Sequence, residues 1–239
     1  MKINDPLAGT YSEILRRLKT FPDEATARRY FRRNYLPLLQ DLPEGLLLDI
    51  GCGLGDFLHF CRTELGREVC GLDLVAENVA CCRELGLEVE QADATEYLQR
   101  ERPYAAVVMN DVLEHIEKPQ VVPLLGLIHS RLAPGGRLLI KVPNMSNLVT
   151  GTRTRYMDLT HVTGYTDETL RQVLETAGFD EVDTRPVDLY VTGNPVLNVL
   201  ARAACGLQYA SWRLQYRLNG VPRVRVLTKS IIACGIKAR

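Results

Sequence analysis

The residues whose types and spacing could do chemistry fall in a few short stretches. Asp49-Ile-Gly51-Cys52-Gly53-Leu-Gly55 follows an apolar run that begins at Leu46. Three glycines alternating along a strand-to-helix turn let the backbone approach a ligand closely, and the acid ahead of them favours a cation nearby. Asp73 and Asp93 follow two further apolar runs, and Asn110-Asp111 follows a third. A carboxylate in the place of Asp73 can accept both hydroxyls of a ribose. Asp93 can accept from an adenine amino group, and amides around Gly51–Gly55 are free to meet the ligand's other polar atoms. The turn lacks the Gly-Lys-Ser/Thr of a phosphate loop, and Gly55 falls one residue early for the dinucleotide spacing. The pattern points to a cationic, nucleoside-bearing ligand.

These residues need elements to position them. Leu46–Ile50, Glu68–Asp73, Leu87–Gln91, Tyr104–Met109 and Arg137–Val142 read as strands. Gly55–Leu65, Ala76–Leu85, Pro119–Leu132 and Thr166–Ala177 read as helices, the last with Thr166 as N-cap and Gly178 closing it. Pro134-Gly135-Gly136 reads as a turn, and Phe179–Tyr190 contains a further strand with Pro186 at a bend or edge. Such alternation predicts an α/β fold, a mostly parallel sheet with helices on both faces. Its crossovers bring the ends of the strands to one edge, where ligands bind. Residues 12–40 read as one or two helices ahead of this unit, with Pro22, Asp23 and Glu24 in a first turn.

Taken together, Asp49–Gly55, Gly71-Leu-Asp73, Gln91-Ala-Asp93, Asn110-Asp-Val-Leu-Glu-His-Ile116 and Leu132–Asn144 resemble the successive motifs of class I S-adenosylmethionine-dependent methyltransferases. The resemblance covers about residues 45–180. It implies a Rossmann-like seven-stranded sheet, S-adenosylmethionine as cofactor and methyl transfer, and leaves the acceptor open. By the resemblance, Gly51, Cys52, Gly53 and Gly55 line the methionine part, Asp73 and Leu74 the ribose, and Asp93 with Ala94 the adenine. Asn110, Asp111 and Val112 line the methionyl and adenine sides. Tyr11 and the Arg28–Arg33 region are candidates to reach the cofactor's carboxylate. The division expected is a helical segment over 1–43 packed on a cofactor-binding domain over 44–239.

Transfer to an alcohol needs a base. His115 follows the fourth strand, and His161 lies in the loop before Tyr165-Thr166; these are the candidate catalytic residues, with His161 preferred as base or acceptor ligand. His59 and His129 read as packed or surface residues. Asn144, Arg155, Asp158 and Tyr165 are candidates for acceptor binding. The loop 144–161 is rich in Arg, Asn and Thr, which suits a polar, hydroxyl-bearing acceptor.

The expected reaction is O-methylation of a sugar hydroxyl on a glycan or glycolipid precursor. The alternatives are a small aromatic or quinone-like metabolite, and a non-catalytic cofactor-binding subunit. The 239 residues, 46% of them apolar and 24% charged, suit a soluble globular protein, and no apolar run approaches a membrane span. The N-terminus has no signal-peptide core, so a cytoplasmic location is expected. Seven cysteines without a C-x-x-C pair argue against a disulfide framework or a structural zinc site, and no metal ligand set is expected. No acidic residue follows Asp188, while Arg202, Arg213, Arg217, Arg223, Arg225, Lys229, Lys237 and Arg239 do. Between the last two strands, about 194–220, Leu197, Leu200, Leu207, Leu214 and Leu218 recur at helical spacing. This reads as a helical insertion that packs on the domain with a solvated basic face, or that meets anionic lipid. Nucleic acid fits less well, because charge is balanced over the chain. Nothing in the sequence sets an oligomeric state.

Overall fold

The computed structural model describes residues 21, 23–188, 192–221 and 223–238. The leading segment expected over 12–20 lies outside them, with Tyr11 and Pro22. So do Tyr190, at the end of one expected strand, and Arg239. The elements in chain order are α1 (Glu24–Asn34), β1 (Leu46–Ile50), α2 (Asp56–Leu65), β2 (Val69–Asp73), α3 (Ala76–Glu84), β3 (Val89–Gln91), α4 (Ala94–Tyr97), β4 (Tyr104–Asn110), α5 (Lys118–Arg131), β5 (Leu132–Pro143), α6 (Gly151–Tyr156), α7 (Asp167–Thr176), β6 (Glu181–Pro186), α8 (Pro195–Leu218) and β7 (Ser230–Ile236).

The strands form one seven-stranded sheet in the order β3-β2-β1-β4-β5-β7-β6. The first five are parallel; β7 runs antiparallel between β5 and β6. Strand order reverses between β1 and β4, so the turns after these two strands flank the crevice where such sheets bind ligands. The sheet is buried on both faces, which is why its central strands read as unbroken apolar runs. Leu46, Leu48, Ile50, Val107 and Met109 pack toward α5 and α7. Leu47, Ala106 and Val108 pack toward α1 and α2.

The termini of the elements follow local chemistry. Asp23 caps α1, accepting from Thr26 N at 2.7 Å, so it sits just outside the helix rather than in its first turn. Thr166 caps α7 in a reciprocal arrangement with Thr169. Helix α1 is bound to the domain by an aromatic cluster: Phe31 lies 5.2 Å from Phe57 and 5.4 Å from Phe60, ring to ring.

Three expectations change. Pro134-Gly135-Gly136 does not end an element; it is a bulge inside β5, where the register with β4 jumps between Tyr104 and Ala106. The loop expected over 144–161 contains the short helix α6. The leucine stripe of α8 does not pack on the domain. Leu207 and Leu218 are each 77% exposed, and Trp212 is the buried residue of this helix.

Candidate active site

The glycine turn is held by its own amides. Gly51 N and Cys52 N both donate to Leu72 O, at 2.8 and 2.9 Å, and Gly55 N donates to Cys52 O at 3.0 Å. Gly53 N donates to Asp73 Oδ2 at 2.8 Å. The amides of Gly51, Cys52 and Gly53 thus tie the turn to β2, and that of Gly55 closes the turn on itself. What the turn offers is shape. A side chain at Gly51, where φ is +71°, would lie 2.4 Å from Val112 Cγ2, whereas one at Gly53 would meet no atom within 4 Å. The turns after β1 and β4 thus touch at Gly51, and the bare backbone at Gly53 faces open space.

The acids at this edge are placed by burial. Asp49 is 2% exposed, and its Oδ1 has no partner among the described residues. Burial, with Asp73 nearby, pushes its carboxyl well above the usual range. Asp73 accepts from Val75 N (2.8 Å) and Asn78 Nδ2 (3.3 Å) as well as Gly53 N. Burial raises its pKa, and these donors oppose the rise. Leu74 follows it, with its carbonyl taken by Gln91 Nε2. Asp93 is the N-cap of α4, accepting from Thr95 N and Glu96 N through Oδ1, with Ala94 opening the helix. Cys52 is buried, and the Cys82 thiol hydrogen-bonded to it, with burial second, raises its thiol, as befits a packed residue rather than a nucleophile.

The turn after β4 is anchored from two sides. Tyr35, at the end of α1, donates its hydroxyl to Asn110 Oδ1. Asp111 has φ +54°, a conformation few non-glycine residues adopt, and is ion-paired with Lys141 of β5. Burial works against the Lys141 charge, but Asp111 and Tyr30 outweigh it and raise its pKa. Tyr35 and Lys141, which brace this turn, were not among the sequence candidates, whereas Tyr30 lies within the Arg28–Arg33 region that was. A lysine inside the apolar run Leu138–Val142 was the available signal; nothing marked Tyr35. Three of the four arginines of α1 are directed elsewhere, and Arg29 donates to Thr26 Oγ1. Arg28 and Arg32 pair with Glu64, and Arg33 with Asp188.

The histidines come together. Val162 N and Thr163 N donate to Glu114 O at 2.8 and 3.1 Å, pinning the 157–164 loop onto the segment after β4. The His115 and His161 ring centroids are then 4.8 Å apart, edge to face. His161 Nδ1 donates to Thr154 O at 2.7 Å, so the lone pair of the neutral ring lies on Nε2. Thr160 Oγ1 donates to Asp158 Oδ1 (2.7 Å) and therefore accepts from His115 Nδ1 (2.8 Å). Burial, with His161 beside it, lowers the His115 pKa and keeps the ring neutral. Burial alone would raise Asp158, but the hydroxyl and amide of Thr160 hold it below its ordinary value. Arg155, Tyr156, Asp158, Leu159 and His161 line an open cavity of about 380 Å³.

Three residues expected to bind the acceptor also brace the loop. Asn144 is fully buried; it donates to Val226 O and Thr228 O and accepts from Ser146 N. Arg155 donates to His161 O and Val162 O, shaping the loop. Tyr165 is buried against Leu113 O, and burial pushes its phenol up to about 12. All three hold the loop that carries His161.

A glycine-lined edge with buried acids is shared by several nucleotide-binding folds, and the match to known families decides between them. The model of the family described as "Methyltransferase domain" matches residues 24–184, from α1 to β6. The chain belongs to that family. The cofactor of this methyltransferase is S-adenosylmethionine. The residues present fit it: the unpartnered Asp49 Oδ1 and the bare surface at Gly53 suit a cationic ligand brought close to the backbone.

Among curated proteins, the methyltransferase is 28% identical over 164 residues to phosphoethanolamine N-methyltransferase 3 of Arabidopsis thaliana, covering 63% of this chain and 32% of that one. It is 29% identical over 184 residues to phosphoethanolamine N-methyltransferase 1 of Zea mays, covering 71% and 35%. The chain thus spans about a third of the length of these relatives. Its fold matches a SAM-dependent methyltransferase from Archaeoglobus fulgidus, with a TM-score of 0.68, 23% identity and coverage of 95% and 99%. It also matches phosphoethanolamine N-methyltransferase 2 of Haemonchus contortus, solved with S-adenosyl-L-methionine. There the TM-score is 0.61, with 19% identity and coverage of 96% and 60%.

Proposed function

We propose that this methyltransferase acts on a heteroatom that must lose a proton, and that its acceptor is a sugar hydroxyl on a glycan or glycolipid precursor. The observation that carries the reading is His161, whose Nδ1–H is committed to Thr154 O and whose Nε2 is left to accept a proton beside an open cavity. When bound, the cofactor supplies an electrophilic methyl group on a sulfonium centre. Asp49, Asp73, Asp93 and the turn after β4 would hold it, and the 144–165 loop would orient the acceptor and limit water.

Helix α8 supports a lipid-linked acceptor. It has no acidic residue, it carries Arg202, Arg213 and Arg217, and its leucine stripe is exposed. Tyr216 donates to Ser146 O at 2.9 Å, so the helix adjoins the acceptor loop, where Leu148 and Val149 are also exposed. A peripheral contact with anionic membrane through this face is part of the proposal. Seven cysteines without a C-x-x-C pair suit a cytoplasmic location.

A second reading, N-methylation of a phosphate-bearing amine, is favoured by the names of the curated relatives; an ammonium acceptor also needs a base. Incubation with isotope-labelled methyl donor and either lipid-linked saccharides or phosphoethanolamine, read by mass spectrometry, separates the two. Label on oxygen of the saccharide is expected; label confined to the amine would overturn the sugar reading. Co-sedimentation with phosphatidylglycerol vesicles, compared with phosphatidylcholine, tests the membrane contact. Loss of binding is expected when Arg202, Arg213 and Arg217 are all replaced by Ala.

A further inference from the structure

Glu114 presents a problem that the proton-transfer reading does not solve. Its side chain is 2% exposed, and both carboxylate oxygens are shielded and without partners among the described residues. A buried carboxyl in that state is costly unless a cation or donor meets it. Two imidazoles stand beside it: one ligand-capable atom each from Glu114, His115 and His161 lies within 4.8 Å of the other two.

We infer that Glu114, His115 and His161 form a binding site for a divalent first-row metal ion. Two imidazoles and one carboxylate are a donor set suited to such an ion, and they leave coordination positions open. The supports behind the rings are those of a metal site. His161 is oriented by Thr154 O through Nδ1, and His115 by Thr160, which is itself held by Asp158. Each ring would ligate through Nε2. With bonds of about 2.0–2.2 Å, ligand atoms sit about 3–4 Å apart, so the triad draws in by about an ångström, a movement within reach of the loop that carries His161.

The inference rests on the same pocket as the proposed transfer and sharpens it. An open position on the ion takes the acceptor's oxygen, and coordination lowers the pKa of that hydroxyl. The O–H bond breaks, its electron pair stays on the coordinated oxygen, and the proton passes to water in the open cavity. His161 then serves as ligand instead of base. No spacing motif marks the set, because its ligands come from two segments far apart in the chain.

The test is a titration of the chelator-stripped protein with Co²⁺, followed by visible absorption and without acceptor, so that it does not depend on the acceptor's identity. One Co²⁺ per chain with nitrogen–oxygen spectra is expected, and Mn²⁺ should compete for it. Glu114→Gln and His161→Gln should each weaken binding at least tenfold while S-adenosylhomocysteine affinity and the circular dichroism spectrum stay unchanged. No binding up to millimolar Co²⁺, or equal binding by both variants, would overturn the site. If Glu114→Gln fails to fold, His161→Gln alone carries the comparison. Turnover lost to chelator and restored by Mn²⁺ is expected; a chelator-resistant enzyme that binds Co²⁺ at the triad would remove the ion's role in transfer. Methyl transfer by a protein that binds no Co²⁺ would leave the proposed function standing and the metal site refuted.

Discussion

The cofactor edge and the acceptor edge of this methyltransferase are built differently. The cofactor edge is made of short contiguous motifs, each at the end of a strand, and its glycine turn is closed by hydrogen bonds to the neighbouring strand. The acceptor edge is assembled from separate segments. The loop carrying His161 hangs on Glu114 O from one side, and on Val226, Leu227 and Thr228 carbonyls through Asn144 and Asn147 from the other. A site of the first kind carries most of its chemistry in local motifs, while the second depends on every segment that meets there.

The contrast can be broken most sharply at His161. His161→Gln should reduce turnover by at least about a hundredfold while cofactor affinity changes less than about twofold. Steady-state kinetics with calorimetry would show it, and normal turnover would remove His161 from the chemistry. Next in size is the glycine turn. Gly51→Ala forces a Cβ against Val112 at a positive φ, and should weaken S-adenosylmethionine more than tenfold and lower Tm. Gly53→Ala meets no protein atom, so its stability loss should stay near the 1–2 kcal/mol of the backbone term. If Gly53→Ala nevertheless matches Gly51→Ala in lost affinity, the open space at Gly53 belongs to the ligand.

Asp49 gives a smaller effect with a definite sign. Its folded pKa is raised by burial, so the stability it contributes is full below the unfolded carboxylate value and falls as pH rises above about 4. Asp49→Asn should therefore gain Tm relative to the parent as pH rises toward neutrality. It should also lose more affinity for S-adenosylmethionine than for S-adenosylhomocysteine, which lacks the sulfonium charge. Equal losses for the two ligands would separate Asp49 from the sulfonium charge. The smallest change expected is Tyr216→Phe, which removes one hydrogen bond between α8 and Ser146. It should cost about 1 kcal/mol of stability, measured by urea denaturation, and raise the acceptor KM a few-fold without altering cofactor affinity.

Legibility followed the same divide. The alternation of strands and helices over 46–186 was readable because each element carries its own pattern and caps, from the apolar runs of β1 and β4 to Thr166 and Gly178. The leucines of α8 show the limit: helical spacing predicted the helix correctly but not whether its apolar face would find a partner. Asn144, Arg155 and Tyr165 were polar residues in a loop, and a sequence does not tell a side chain that binds ligand from one that braces the loop.

By itself the sequence determined the fold class, the order of the motifs and the edge at which they gather, because strand period, glycine turns and helix caps are local properties. Tertiary structure decided that Tyr35 and Lys141 buttress the turn after β4, that the glycine amides face inward, and that Glu114, His115 and His161 converge. Those outcomes depend on packing between segments far apart in the chain, where burial and hydrogen-bond competition act only once the sheet has formed.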